Sequence, residues 1–189
     1  MLMIDGDLSS PPMPYRSRWI LAQAAEAGWQ ERGYYALRRE VFVREQALFQ
    51  ESDRDDHDRH ALPIVALSTC SGVPDDVVGV VRIYREADVQ HESLWFGGRL
   101  AVAPAYRRSA EVGAALIRAA VGAARGLGAT RFLATVQQDN VPYFVRQGFR
   151  SLAPVVVCDR PHQLMQADLA TFAVPAWLER YSACARRAA

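Results

Sequence analysis

The sequence predicts an α+β (α/β) protein in which parallel and antiparallel strands share one sheet, and three observations predict it. The first is the run LAVAPAYRRSAEVGAALIRAAVGAARGLG at 100–128, which passes from an apolar extended stretch through Pro104 into a long Ala-rich segment. Val112, Leu116, Ala119 and Ala123 recur there at helical spacing, while Arg118 and Arg125 fall off the stripe, so one helix face packs on a sheet. The second is the alternating stretch 131–136 that follows Gly126 and Gly128. A strand–helix–strand unit closes right-handed, which makes the two flanking strands parallel. The third is a pair of apolar or β-branched runs, 61–68 and 77–84, separated by turn chemistry at 70–76, which read as an antiparallel hairpin.

The remaining elements follow in order. Residues 1–14 are polar and Pro-rich, a flexible arm, with a main domain expected over 15–170 and a helical extension over 171–189. A first strand can start within 15–23, and 29–45 reads as a helix with Tyr34, Leu37, Val41 and Glu45 near one face. The strand at 91–102 contains Gly97-Gly98, which signals a bulge or a close backbone approach. Residues 155–158 and 161–169 read as a final strand pair, and 176–189 as an amphipathic helix with Trp177 and Tyr181 on one side, suited to covering the sheet or to self-association as a homodimer.

Composition narrows the function classes. With 189 residues, half of them hydrophobic, the chain can bury one sizeable core. A net charge of +1 argues against a general nucleic-acid binder, and no apolar run approaches membrane-spanning length, so the expected location is the cytoplasm. Cys70, Cys158 and Cys184 are odd in number and far apart, which fits reduced, mostly buried thiols.

Two stretches carry chemistry. Arg107 and Arg108 stand between a strand end and a helix whose first-turn N–H groups lack internal partners, which together form an anion site suited to a phosphate. The segment EQALFQESDRDDHDRH packs Glu45, Glu51, Asp53, Asp55, Asp56 and Asp58 around His57 and His60. A solvated face accounts for it as well as function does, and it lacks the spacing of a calcium loop or a convincing metal set, so no metal is expected.

The residues Val102, Pro104, Tyr106 and Arg107, then Arg108 to Gly113 and Leu116, resemble the acyl-CoA loop of the GNAT acyltransferases. Asn140 to Phe149 resembles that family's next motif, an Asn-initiated short helix ending in Gly-Phe. The resemblance implies a three-layer fold with a mixed central sheet of about six to seven strands, helices on both faces and splayed parallel strands at the cofactor site. It also implies acetyl-CoA, or another acyl-CoA, as cofactor. Its diphosphate would be held by the loop Arg107, Arg108, Ser109, Ala110, Glu111, Val112, Gly113 and Ala114. The strand residues Leu100, Ala101 and Val102 would line the thioester, with Leu100 or Val102 as main-chain donor, and Asn140 and Phe144 would complete the site. Glu111 stands where the family pattern has glycine, and Phe144 where the family commonly has a proton-donating tyrosine. Tyr143, one position earlier, is then either that acid or a packed aromatic.

Residues 37–43, Glu45-Gln46 and Glu51-Ser52-Asp53, with Gly79 to Arg82 and Trp95 to Leu100, are also similar to the acyl-homoserine-lactone synthases, which share the fold. That likeness implies Arg38, Phe42, Arg82 and Arg99 as acceptor-binding residues. The expected function is N-acyl transfer, in the simplest case of an acetyl group, from acyl-CoA directly to the amine of a small molecule, with Glu51, Asp53 or His57 taking the amine's proton. Two alternatives stand beside it. One is a synthase-like enzyme using an acyl donor and S-adenosylmethionine. The other is a non-catalytic acyl-CoA-binding module, to which Glu111 and Phe144 point. Pairing of Glu51 and Asp53 with Arg38, Arg82 or Arg99 is an equally good account of those charges.

Overall fold

The computed structural model describes residues 19–70, 72–86, 93–108 and 110–188. The arm expected at 1–14 lies outside the described residues, as does the start of the first strand. Seven strands form one sheet: β1 (Ile20–Ala24), β2 (Leu62–Cys70), β3 (Val73–Arg85), β4 (Leu94–Val102), β5 (Arg131–Gln137), β6 (Phe149–Val157) and β7 (Arg160–Ala167). Their order is β1-β2-β3-β4-β5-β7-β6. The pair β4/β5 is parallel and every other pair is antiparallel. The helix between β4 and β5 supplies the crossover that a parallel pair requires.

On one face lies α1 (Gly28–Arg38), which continues without a break as a π-helical segment over Arg39–Glu45. Gln30 fastens its start, its side-chain oxygen accepting from Glu26 and Ala27 N–H at 2.9 and 3.2 Å. Tyr34, Val41 and Phe42 pack there on Val65, Leu67, Val77, Val80 and Ala101. The other face carries α2 (Glu111–Gly126), the short α3 (Val141–Arg146) and α4 (Trp177–Ala188).

The stripe read on α2 is buried, but the helix is enclosed on more than that one face, since Ile117, Ala120, Val121 and Ala124 are buried too. Small residues make this possible. A Cβ on Gly79 of β3 would stand 2.6 Å from Val112 Cγ1 and 2.8 Å from Leu116 Cδ1, so strand and helix meet where the side chain is absent. Elsewhere around the helix a Cβ on Gly122 would strike the Ala173 carbonyl oxygen. Phe172, Trp177 and Leu178 belong to the same core.

Three sequence expectations need correction. The β2–β3 turn is tighter than 70–76, because Thr69 and Cys70 pair with Pro74 and Val73. Polar composition there marks exposure, and main-chain pairing does not need burial. Of the two readings of Gly97-Gly98, a bulge or a close backbone approach, the bulge is the one that moves: it lies just after the glycines, where the β3/β4 register shifts between Val80 and Arg82 and Arg99 has φ 55°. Gly97 instead allows a close approach, as its Cβ would lie 2.7 Å from Phe132 Cζ. Finally β6 begins at Phe149, and its turn to β7 is Cys158-Asp159, both at positive φ. The signal of β6 is weak because most of its residues are exposed and Pro154 interrupts the run.

Candidate active site

The parallel strands β4 and β5 pair from Leu94 opposite Arg131 to Gly97 opposite Ala134, and no further. Beyond that point β5 remains paired with β7 as far as Gln137 opposite His162. The bulge at Arg99 bends β4 away, as an extra residue does. A cavity of about 370 Å³ occupies the resulting gap, large enough for a slender ligand. Ile117, Ala120, Val121 and Phe144 line it on the α2 face. Phe42, Phe49, Tyr84 and Phe96 line it on the α1 face, with Val157 and Cys158 of the β6–β7 turn. The gap is therefore a slot through the sheet, joining its two faces.

The α1-face chamber is framed by three arginines and three aspartates. Arg38, 0 % exposed, donates from Nε to Asp53 Oδ2 at 2.7 Å and from both terminal nitrogens to Asp58 at 2.6 and 3.0 Å. It also donates to the Tyr34 hydroxyl at 3.0 Å. Arg82 grips Asp55 through two 2.6 Å bonds, and Arg99 donates to the Asp53 carbonyl and to Asp55. Asp55 and Asp58 cap the short turn Asp56–Arg59 reciprocally, Asp55 accepting from His57 N–H and Asp58 from Asp55 N–H. Burial alone would raise the Asp58 carboxyl, but hydrogen bonds from Arg38 and from the Asp55 N–H hold it well below the usual carboxylate range. Burial also pushes the Tyr34 hydroxyl up to about 12.

About one to two turns before the α2 residues that line the cavity, the helix starts from Ala110 in the left-handed conformation, φ 55°, with no side-chain cap. The first-turn N–H groups of α2 thus have neither an intrahelical acceptor nor a capping side chain from Ala110. Arg108 is exposed beside them. Arg107 is committed elsewhere: it donates to Glu45 through two 2.6 Å bonds and to the Val102 carbonyl at 2.8 Å, which lowers the Glu45 pKa. The Tyr143 hydroxyl donates to the Ala110 carbonyl at 2.9 Å and lies where a Cβ on Gly113 would stand, 2.8 Å away.

The sequence profile of the acetyltransferase (GNAT) family matches residues 19–149, well over half of the chain. The chain belongs to the GNAT acetyltransferase family. It is an acyltransferase that depends on acyl-CoA. Among solved structures it is similar to an N-acetyltransferase, so named, of Lactobacillus plantarum (22% identity, 79% of this chain and 98% of that one, TM-score 0.68). An acyl-CoA N-acyltransferase of Pseudomonas aeruginosa is also similar (22% identity, 78% and 98%, TM-score 0.60). TofI, crystallised in a ternary complex with an inhibitor and MTA, shares the fold as well (18% identity, 79% and 91%, TM-score 0.58). No curated protein sequence matches the chain.

Within this GNAT fold the residues read from the sequence part into three groups. Leu100, Asn140 and Phe144 line the slot, and Phe42, Arg82 and Arg99 line its α1-face chamber. Ala110, Glu111, Val112, Gly113 and Ala114 form the start of α2, with Glu111 exposed and Val112 and Gly113 buried; Ser109 lies outside the described residues. Ala101 points into the α1-face core, and the Val102 carbonyl holds Arg107.

The third group departs from expectation. Tyr143 is not among the residues lining the slot, because a one-residue step on α3 turns it toward Gly113 while Phe144 faces the cavity. Asp53, 3 % exposed, has its carboxylate held between Arg38 and Arg99, Arg38 is fully buried, and neither is among the residues lining the cavity. Glu51 is exposed and lies outside the cavity wall. Cys158 is exposed rather than buried.

Sequence reasoning missed Tyr84, Phe96 and the β6–β7 turn as walls of the chamber. Tyr84 stacks on His57 at 4.1 Å between centroids, and Arg160 and Gln137 tie the far side to Gln46 through bonds of 3.0 and 3.1 Å. The only signal for Tyr84 and Phe96 was their place at the ends of adjacent strands. Among the described residues no helix is long and apolar enough to cross a membrane.

Proposed function

We propose that this enzyme transfers an acyl group, in the simplest case acetyl, from acyl-CoA directly to the amine of a small molecule, both held at once in the slot. The observation that carries the reading is the through-sheet gap opened by the Arg99 bulge, with an aromatic chamber on one face and the side of α2 on the other, a helix whose first residue has no side-chain cap. Bound acyl-CoA supplies the acyl group as an activated thioester. The first turn of α2 and Arg108 hold its phosphates, where main-chain N–H groups and the helix dipole favour negative charge. Leu100 or Val102, on the stretch of β4 that has lost its β5 partner, donates a main-chain N–H to the carbonyl oxygen. Apolar walls at Ile117, Ala120, Val121 and Phe144 exclude water from the narrow part.

Of the three groups considered for the amine's proton, His57 is the one in the cavity wall, so it takes the proton, directly or through water. The N–acyl bond forms as the thioester C–S bond breaks, and CoA departs as a thiolate that takes a proton from protonated His57 or from water; no tyrosine hydroxyl is needed in this reading, and Tyr143 serves as a brace for the start of α2. A second reading, in which the acceptor is S-adenosylmethionine, is favoured by the Arg38–Asp53–Arg99 framework that prompted the synthase likeness. Mass spectrometry separates the two. Incubation with acetyl-CoA and a panel of small amines should give N-acetyl products. Acyl-carrier protein with S-adenosylmethionine should give none. Product from the second mixture alone would reverse the assignment, and product from neither would remove both.

A further inference from the structure

Arg82 is 3 % exposed, yet its guanidinium is only partly used. Asp55 takes the two terminal nitrogens end-on and Asp58 shares one of them at 2.9 Å. This leaves Nε, which is buried and has no hydrogen-bond partner among the described residues. Buried donors are almost always satisfied, so an unpartnered one on a cation in a cavity wall has a use. Gly98 is directly opposite Arg82 in the β3/β4 ladder, and Arg82 Nε is the one atom near the place of its missing Cβ, at 3.9 Å. The glycine therefore keeps the approach to Nε open. The last β4/β5 pair is Gly97 with Ala134, so Arg82 lies about one strand spacing, roughly 4.8 Å, from the edge of the slot.

We propose that Arg82 Nε–H is the recognition donor for a carbonyl-type oxygen on the carbon next to the acceptor's amine-bearing carbon, which makes the acceptor an α-amino acid or α-amino amide. This rests on the amine-acceptor reading above. Nε stands 3.9 Å from the place of the missing Gly98 Cβ, over the strand that edges the slot, so an oxygen on the carbon two bonds from an amine nitrogen seated at that edge is directed to Nε for a hydrogen bond. Phe42, Phe49, Tyr84 and Phe96 give the side chain an apolar, aromatic seat. The chamber offers no spare carboxylate for a second cationic group, because Asp53, Asp55 and Asp58 are all held by arginines.

The test uses the full chain saturated with CoA, so that no turnover occurs, and three probes of one shape: L-phenylalanine, L-phenylalaninamide and phenethylamine. The Arg82 Nε–H resonance, assigned through its own side-chain spin system, is followed in nitrogen-edited spectra, and affinities come from calorimetric titration. The proposal expects at least one oxygen-bearing probe to shift that resonance downfield and to bind roughly 10- to 100-fold tighter than phenethylamine, the range of a hydrogen bond to a charged group. Gly98→Ala, which sets a methyl over Nε, should erase most of that preference. Preference for the acid alone identifies a carboxylate, and for the amide alone a neutral carbonyl. An unmoved resonance, equal affinities, or no binding of any probe overturns the proposal. N-acetylation of other amines, assayed separately, reports whether the amine-acceptor reading survives that failure.

Discussion

Replacing Arg38 with alanine tests whether the arginine–aspartate framework is a strut. The substitution removes five hydrogen bonds from a fully buried guanidinium and leaves Asp53 and Asp58, with side chains 4% and 9% exposed, without their main countercharge. Removing one partner of a buried pair costs about 3–5 kcal/mol. Arg99 still reaches Asp53 and Arg82 still reaches Asp58, so the lower end of that range, about 3 kcal/mol, applies here. For a chain of this length each kcal/mol lowers Tm by about 2–4 °C, giving a fall of roughly 6–12 °C. Urea unfolding followed by circular dichroism measures the loss, and Arg38→Met, which keeps most of the stem, isolates the charge. Because the pairs are buried, the loss should persist at high salt. A cost below about 1 kcal/mol, or one that vanishes at high salt, would refute the strut. Asp53→Asn adds a check: lost catalysis with unchanged stability would make Asp53 a base after all.

Asp58 predicts the acid limit of stability. Its native pKa is depressed, so the unfolded chain takes up the proton first; the stabilisation is present above about pH 4 and is lost as pH falls through the lower native value. Asp58→Asn should lower stability at neutral pH and flatten that acid limb, and an unchanged limb would show that other carboxylates set it. Tyr143→Phe should leave the rate of acyl transfer within about twofold while costing about 1 kcal/mol of stability, the worth of one hydrogen bond. A rate loss with stability intact would return Tyr143 to the chemistry. Gly122→Ala should cost about 1–3 kcal/mol, because its Cβ meets the Ala173 carbonyl oxygen, which cannot rotate away. Guanidinium unfolding checks it, and a neutral result would mean that the 172–176 segment packs more loosely on α2 than described.

Much of this architecture is legible because its signals are local. The Ala-rich stripe of α2, the alternation of β5 and the hairpin of β2 and β3 all follow from spacing within one element. Their joint consequence, a parallel β4/β5 pair beneath a crossover helix, follows from chirality. What spacing does not carry is the partner of a charge. Arg107 reads as a phosphate ligand until Glu45, 62 residues away, is seen to hold it, and Asp53 reads as a base until Arg38 and Arg99 enclose it. The π-helical stretch over Arg39–Glu45 has no composition of its own, yet it sets where Phe42 and Glu45 point. Gly97-Gly98 reads as a bulge or a close approach because glycines are the stronger local signal; Gly97 serves to let Phe132 approach the strand, and the bulge itself falls at Arg99, which carries no such signal.

The proposed function requires the slot between β4 and β5 to accept the acyl-CoA thioester with its phosphates at the start of α2. Thermal unfolding of the full chain with acetyl-CoA, beside the variant Arg108→Glu, tests this most directly. At about 100 times its dissociation constant the ligand should stabilise the native protein by roughly 2.7 kcal/mol. That should raise Tm by roughly 5–11 °C in the wild type and leave the variant, at the same concentration, close to its unliganded Tm. An unmoved wild-type Tm, or an equal rise in both proteins, would contradict it.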